Sequence, residues 1–595
     1  MPKEKYRKAF FSGKNLPDWL RAHLSDSQRY FVFWVLAGLL CGLAAVMFRL
    51  SIEGILKTIK SFAAEFGVLE SSLIMILFPA LGGLVAGLII FKIEPTAAGS
   101  GIPQTKARYY QDFGVFKLRE ALWRFIVGAI SVGSGMSLGP EGPTVHLCSA
   151  ISSWIGQKFG LAKKRIQSMV PVGAGAGIAA AFNAPMAAMF FVFEELLSDF
   201  STKSLFGILV AVVISSIVER TILGESPVLN ATLPSFSTDW WMILCLPLAI
   251  VSALFGHLFV RLLLKSRAKF REYNMIPVWA KPGIGGLAVG ILGVTVLLST
   301  NQDGVFGIGY ATLNDTINGK NLVLFALILL FFGKFFATIL AFASGGSGGL
   351  FAPALFLGGI LGAIVGVIGQ MFFGYDSTVV GALSLLGMGS FFAAVNRCPM
   401  TSFMIIFEMT QNYSIMLPLM LGNMISYLLA SKWQTIALYD SLLLQDNISL
   451  KKMPSYMGEQ DWRNLPIQTI MTFDCIKALC GDTAKQSLEK LKEFKHHAYP
   501  VVNDDKKLLG MITHHELEEY ARENSPKTIK EIIRRQKLIT VHPEQSIRDV
   551  AKILVVEDVM QAPVVNPTRP DRLLGIVTLH DVARQQNAIE DAMER

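Results

Sequence analysis

Long apolar runs recur along most of the chain, at about 30–50, 72–91, 168–193, 241–264, 284–299, 322–343, 350–373 and 415–430, and then stop. Such runs predict membrane-crossing helices, because about 20 apolar residues span the hydrocarbon core of a bilayer. Several are too short or too rich in glycine to be simple spans. A helix that breaks inside a membrane is tolerated only where protein or a water-filled cavity satisfies the freed backbone, so the interruptions locate a pathway. Residues 1–28 are polar and basic, with Lys3, Lys5, Arg7 and Lys8 first and a short amphipathic piece at Leu16 to Leu24. They read as a cytoplasmic arm, since a signal peptide would place its apolar core earlier and follow it with a small-residue cleavage site. From about Ser441 the material changes to a polar alternation of strands and helices. The pattern thus predicts a polytopic all-α membrane domain over 29–440, a linker over 441–465 and two α/β repeats over 466–522 and 523–595.

Composition agrees. Of 595 residues, 52% are hydrophobic and only 17% charged, with a mean hydropathy of +0.46. A soluble domain would expose far too much apolar surface at that balance. The net charge of +9 comes from Lys and Arg in the N-terminal arm, in short loops such as Ala162 to Arg165 and Lys265 to Arg271, and in the tail. This is the positive-inside pattern of a multi-pass protein with both termini cytoplasmic, and it calls for no nucleic acid. Six cysteines are scattered, Cys41, Cys148, Cys245 and Cys398 in or beside apolar segments and Cys475 and Cys480 in the tail, without metal or disulfide spacing.

Within this apolar chain, Val132 to Ala150 places one carboxylate, Glu141, between Gly139-Pro140 and Gly142-Pro143. Proline lacks the amide donor and glycine costs backbone entropy, so a break or a helix start belongs here. The unpaired amides of a helix start carry partial positive charge and hold either the side chain of Glu141 or an anion in its place. The plainer alternative is a solvated loop glutamate or an N-terminal cap.

An internal repeat sharpens the picture. Ser134-Gly135 with Gly139-Pro140-Glu141-Gly142-Pro143 finds its match, 210 positions later, in Ser344-Gly345 with Gly349-Leu350-Phe351-Ala352-Pro353. Pro185-Met186-Ala187-Ala188 through Phe193-Glu194 matches Pro399-Met400-Thr401-Ser402 through Phe407-Glu408, 214 positions later. Two related halves with interrupted helices at corresponding places point to a transporter site between the halves, whether the repeat is inverted or parallel. The pairing also sorts the acids. Glu194 has Glu408 as its partner, so both read as structural groups. Glu195 has only Met409, and an unshared ionisable group at the end of an apolar helix is a functional candidate, since burying it costs about 2.5–3.5 kcal/mol. If that helix ends in water, Glu195 is an ordinary surface residue.

Gly99-Ser100-Gly101-Ile102-Pro103, Gly139-Pro140-Glu141-Gly142-Pro143, Gly349-Leu350-Phe351-Ala352-Pro353 and the late Tyr439, in this order, resemble the CLC chloride channel and transporter family. The resemblance implies an inverted-repeat fold of about eighteen helices, assembled as a homodimer with an anion pathway in each subunit. It implies hydroxyls of Ser100 and Tyr439 and amides of Leu350 and Phe351 on a central anion, with Glu141 as the outer gate and Glu195 passing protons from the cytoplasm. Family members commonly carry Arg or Lys before the gate glutamate, where this chain has Pro140, so the local electrostatics differ. The chemistry agrees with the resemblance: a halide needs hydrogen-bond donors and dipole ends rather than full cations, which would slow its release.

The tail repeats itself, Tyr499-Pro500-Val501-Val502 with Gly510-Met511-Ile512-Thr513 recurring as Ala562-Pro563-Val564-Val565 with Gly575-Ile576-Val577-Thr578. This resembles a cytoplasmic tandem CBS pair, a module that often binds adenine nucleotides. The resemblance places Asp581 on the ribose, Thr578 near phosphate and Tyr499 against the base, while the first repeat has Glu516 where aspartate is usual. At most one good site for ATP, ADP or AMP is implied, and dimerisation without ligand is the alternative. The expected function is chloride/proton antiport in a lipid bilayer, without an obligatory cofactor. A passive chloride channel is the nearest alternative; a divalent-cation channel fails for want of a ring of acids, and an enzyme for want of a nucleophile, metal cluster or phosphate loop.

Overall fold

The computed structural model describes residues 25–197, 202–224, 229, 240–448, 465–494, 496–523, 525–533 and 538–585. The expected N-terminal arm up to residue 24, most of the expected linker and the last ten residues lie outside them. The chain divides into two compact units, Met1–Ser441 and Leu442–Arg595.

Among the described residues, seventeen α-helices run from Asp26 to Gln445. The first half holds α1 (Asp26–Ala64), α2 (Val68–Lys92), α3 (Ile102–Gln111), α4 (Leu118–Gly133), α5 (Glu141–Lys158), α6 (Lys163–Phe182), α7 (Pro185–Phe191) and α8 (Thr202–Leu223). The second repeats the order with α9 (Cys245–Glu272), α10 (Lys281–Thr300), α11 (Tyr310–Ile317), α12 (Leu324–Ala343), α13 (Phe351–Phe373), α14 (Ser377–Asn396), α15 (Pro399–Thr410) and α16 (Met416–Trp433). The short α17 (Leu438–Gln445) follows. Eight of these helices are long and apolar enough to cross a membrane, including α8 from Leu205 and α14, which the runs in the sequence do not pick out. The expected run at 168–193 is two helices, because Asn183 turns the chain left-handed (φ 51°) at the end of α6 and Pro185 starts α7. Arg397 (φ 63°) and Pro399 do the same between α14 and α15.

How the halves are related, left open by the sequence, follows from α2 and α10. These equivalent helices carry a third matched pair of motifs, Pro79-Ala80-Leu81-Gly82-Gly83 against Pro282-Gly283-Ile284-Gly285-Gly286. A Cβ at Gly83 would lie 2.3 Å from the Pro282 carbonyl oxygen, and one at Gly286 would lie 2.0 Å from that of Pro79. Toward the end of α2, Gly87 meets Trp279; in the other direction, Gly290 meets Ile76. As one sequence rises the other falls, so the two spans cross antiparallel and the halves are inverted in the membrane. Small residues permit that close approach where van der Waals packing rather than hydrophobicity drives association.

Two further contacts obey the same two-fold relation. Gly139 and Gly349 each donate the backbone N–H to the other's carbonyl, at 2.8 and 2.6 Å. The Glu194 carboxylate accepts from the amides of Met400 and Thr401 at 3.0 and 2.8 Å and from the Thr401 hydroxyl at 2.6 Å. Glu408 in turn accepts from the amides of Met186 and Ala187 at 2.9 and 2.7 Å. Each acid therefore caps the orphan amides of the other half's helix start, the structural role that the pairing predicts.

In the second unit, β1 (Ala478–Leu479), β2 (Ala498–Val502) and β3 (Leu508–Thr513) form one sheet, and β4 (Gln561–Asn566) and β5 (Arg569–Thr578) a second. The repeats share their register: Ala498 faces Thr513 as Gln561 faces Thr578, with β2–β3 and β4–β5 both antiparallel. Helices α18 (Ala484–Leu491), α19 (His514–Arg522), α20 (Ile529–Ile532) and α21 (Ile547–Val556) flank the strands. There are two apolar cores that exchange residues across the repeats: Ile467 and Met471 join the one around Val564, and Ile529 and Ile533 the one around Tyr499.

Gly286→Ala is expected to cost about 1–3 kcal/mol by overpacking against Pro79. Gly54→Ala, where nothing lies within 4 Å of an added methyl, is expected to be neutral or to stabilise by about 0.5–1 kcal/mol. Size-exclusion of detergent-solubilised protein after graded heating checks the contrast.

Candidate functional site

Three helix starts meet around Glu141. The first follows Gly99-Ser100-Gly101, where both glycines are left-handed (φ 74° and 101°), conformations that disfavour a side chain, and where Ile102 opens α3. The second is α5, which begins at Glu141 itself. The third is α13, whose N-cap is Leu350. Backbone bridges between Gly99 and Ser347 and between Gly139 and Gly349 hold the three loops together. A Cβ at Gly142 would lie 2.4 Å from the Ser100 hydroxyl, so glycine is what lets the first and second starts touch.

Glu141 is 1% exposed, and its Oε2 accepts from the Ala352 amide at 3.4 Å. The carboxylate of the first half thus lies on the start of α13 in the second. Gly139 makes room, since a Cβ there would lie 2.2 Å from that same oxygen. Oε1 of Glu141 is buried without a hydrogen-bond partner, and the buried hydroxyls of Ser100 and Tyr439, beside one another, have none beyond each other. Buried polar groups are ordinarily paired, so this cluster of spare hydrogen-bonding capacity is the signature of a site for a small ligand. Phe351, fully buried, packs on Phe182, Phe191 and Phe392, with ring centroids 4.7, 5.8 and 4.3 Å away, and fixes the start of α13. Leu350 is also fully buried, and a helix start leaves its first amides without intrahelical partners. A cavity of about 260 Å³ reaches Glu141, lined also by Arg49, Lys60, Thr144, Asp303 and Tyr310. Its cations are matched by acids, Arg49 by Glu53 at 2.8 Å and Lys60 by Asp303.

Glu195 does not end in water. It is 3% exposed and sits on a turn of π-helix, Val192–Leu197, that continues α7. Extra-residue turns of this kind recur at functional sites because they re-aim side chains. Glu195 is ion-paired with Lys106, and its other oxygen accepts from the Cys398 thiol at 3.6 Å. Lys106 reaches Asp440 as well, at 2.7 Å. The sequence reading missed Lys106; its one signal is the place four residues after Ile102, on the buried face of α3.

Arg124 is the second residue it missed. Fully buried on α4, its guanidinium donates to the carbonyls of Ala98 and Gly99 at 3.4 and 3.3 Å and to that of Thr96. It thereby braces the backbone that presents Ser100. A lone arginine in the apolar stretch 121–132 was the available clue.

In the second unit, Asp581 accepts from the amide and hydroxyl of Thr578 at 3.0 and 2.8 Å, and Thr578 accepts from the Asp581 amide at 3.1 Å. Thr513 and Glu516 make the same box in the first repeat, at 2.8, 2.7 and 3.1 Å. The structure thus unites Thr578 and Asp581 at a helix start. Tyr499 is a correction to the expected set. It is fully enclosed in the first repeat's core, its hydroxyl donating to the Phe494 carbonyl at 2.5 Å, so its ring presents no face to a base.

Comparison with known proteins follows this geometry. The family model described as voltage gated chloride channel matches residues 82–431, and that of the CBS domain matches 467–523 and 529–587. The chain is 31% identical over 424 residues to the H+/Cl− exchange transporter ClcA of Vibrio cholerae serotype O1 (strain M66-2), covering 69% of this chain and 88% of that one. Over 417 residues it is also 31% identical to ClcA of Yersinia pseudotuberculosis serotype IB (strain PB1/+), covering 68% and 85%. Among solved structures, a slow cyanobacterial Cl−/H+ antiporter matches with a TM-score of 0.65 at 26% identity, over 70% of this chain and 98% of that one. A eukaryotic CLC transporter matches in fold with a TM-score of 0.62 at 18% identity, over 93% and 98%.

Arg124→Met is expected to weaken chloride binding by at least about tenfold, since charge-assisted hydrogen bonds contribute about 1.5–3 kcal/mol each. Arg124→Lys should recover part of the loss. Isothermal titration calorimetry of the purified protein with chloride reads both.

Proposed function

The chain belongs to the voltage gated chloride channel (CLC) family, and on that premise we propose that it moves chloride across a membrane in exchange for protons. One observation carries the reading: a buried glutamate carboxylate rests on the amide of Ala352, where a helix start favours an anion, with the buried hydroxyls of Ser100 and Tyr439 nearby.

The dipole end of α13 and the hydroxyls of Ser100 and Tyr439 stabilise one negative charge well and two poorly, because like charges repel strongly where water is scarce. Chloride and the ionised Glu141 therefore compete for the amides of Leu350, Phe351 and Ala352. A proton on Glu141 removes its claim, the side chain leaves and chloride takes its place; loss of the proton returns the carboxylate and expels the halide. Each exchange of occupants thus moves chloride one way and a proton the other. Glu195 supplies the far end of the proton path. A site lined with amides and hydroxyls carries no proton by itself, and a passive channel has no use for a buried acid there, which supports exchange over conduction. The hydroxyl of Ser100 suits a small halide better than nitrate.

The membrane unit acts in this reading as one pathway of a homodimer, with both termini cytoplasmic as the distribution of Lys and Arg supports. Its domain limits are 29–440 for transport, and 466–522 and 523–595 for the CBS repeats. These repeats bind an adenine nucleotide at Thr578 and Asp581, where the amides of a helix start favour phosphate, and adjust transport accordingly.

Proteoliposomes loaded with chloride and monitored for chloride and pH together test the exchange. Glu141→Gln is expected to keep chloride flux while abolishing proton movement; coupling retained in that variant would refute the gate assignment. For the second unit, ATP, ADP or AMP at about 100 times its dissociation constant should stabilise the protein by about 2.7 kcal/mol in a thermal-shift assay, an effect lost in Asp581→Ala.

A further inference from the structure

Lys106 has no part in the exchange cycle as described, yet it stands between two of its components. Its side chain is 1% exposed, and its ammonium touches both Glu195 and Asp440. Asp440 follows Tyr439 in α17, and Lys106 lies on α3, the helix that Ser100-Gly101 introduces. One cation therefore links the relay acid to both elements that carry the anion-binding hydroxyls.

We propose that Glu195, Lys106 and Asp440 form a single proton-handling unit at the inner end of the path, with Lys106 as the residue that positions Glu195 and ties its proton occupancy to Asp440. The inference rests on the reading of Glu195 as the relay acid. Two carboxylates and one ammonium leave one net negative charge in a largely buried place, which one proton neutralises. The acids compete for the same ammonium, so a change in Asp440, the more exposed partner at 27% against 4% for Glu195, alters how Glu195 holds its proton. An ammonium suits this task, since its three donors rotate about a compact charge and serve two acids at once.

Other groups also face Glu195. Glu194, beside it on the same turn, is engaged with Met400 and Thr401. The Cys398 thiol donates to Glu195 from the start of α15, and the Tyr439 hydroxyl interacts with it electrostatically from α17. Lys106 and Asp440 are the two charges whose removal acts on Glu195 with opposite sign.

The test measures chloride and proton flux in proteoliposomes of the full chain while the inner pH is varied. Lys106→Met should move the pH of half-maximal proton transport upward by about one unit or more, as expected when an opposite charge at contact distance is lost. Asp440→Asn should move it downward, because the whole ammonium then favours ionised Glu195. Lys106→Arg, which keeps the charge, should move the profile less than Lys106→Met does. Opposite shifts, with chloride flux persisting, support the unit; unchanged profiles, or shifts in the same direction, overturn it. Should Lys106→Met fail to fold, the isosteric Asp440→Asn carries the test alone: an acid shift supports the unit and a wild-type profile overturns it. Wild-type protein without proton movement would overturn both this unit and the exchange reading. Exchange abolished by Glu195→Gln, with the Lys106 and Asp440 variants unmoved, would overturn the unit alone.

Discussion

Unsatisfied backbone amides have no place in a bilayer, and this fold is arranged around the places where it has them. Helices α3, α5, α7, α13 and α15 all begin within the protein, each leaving amides that water would satisfy elsewhere. At α7 and α15 the need is met permanently by Glu408 and Glu194. At α13 it is met by Glu141 through a single long hydrogen bond. That contrast separates structure from function. Two short amide contacts per carboxylate hold the caps at α7 and α15, whereas one contact of 3.4 Å holds the cap at α13.

Function resides where the two-fold relation fails. Gly99-Ser100-Gly101 corresponds to Gly307-Ile308-Gly309, with left-handed glycines on both sides of each, yet one loop offers a hydroxyl and the other an isoleucine. Glu141 corresponds to Phe351, and Glu195 to Met409. In each pair the first half supplies the chemistry, while the second supplies an apolar body or a bare backbone. Phe351 shows the benefit: it anchors the start of α13 among three other rings, so the amides on which Glu141 rests are held in place by packing. Symmetry builds the scaffold, and its loss at three positions gives the path its polarity.

Much of this was legible in the sequence, because proline and glycine act locally. Pro140 and Pro143 around Glu141, and Pro185 and Pro399, announce helix starts that the structure places where they are expected. The motif offsets identified the halves, and the pairing of Glu194 with Glu408 marked both as structural groups, though not as caps. What escaped depends on long-range packing. Helix α14 is almost wholly buried, and Ser384 and Ser390 interrupt its apolar run, as Ser215 and Ser216 interrupt that of α8. The partnership of Lys106 with Glu195 joins residues 89 positions apart, and nothing local announces it. Tyr499 misled for the opposite reason: a motif position names a residue but does not say which way its ring faces.

The reciprocal caps have a consequence for how such a chain comes into being. Met186 waits for a carboxylate that lies 222 residues further along. At a synthesis rate of about 5–20 residues per second, that interval lasts roughly ten to forty seconds. Throughout it the start of α7 lacks the carboxylate that caps it in the folded chain. The second half therefore completes the first as well as mirroring it, and a chain that ends before Glu408 leaves the start of α7 without its cap.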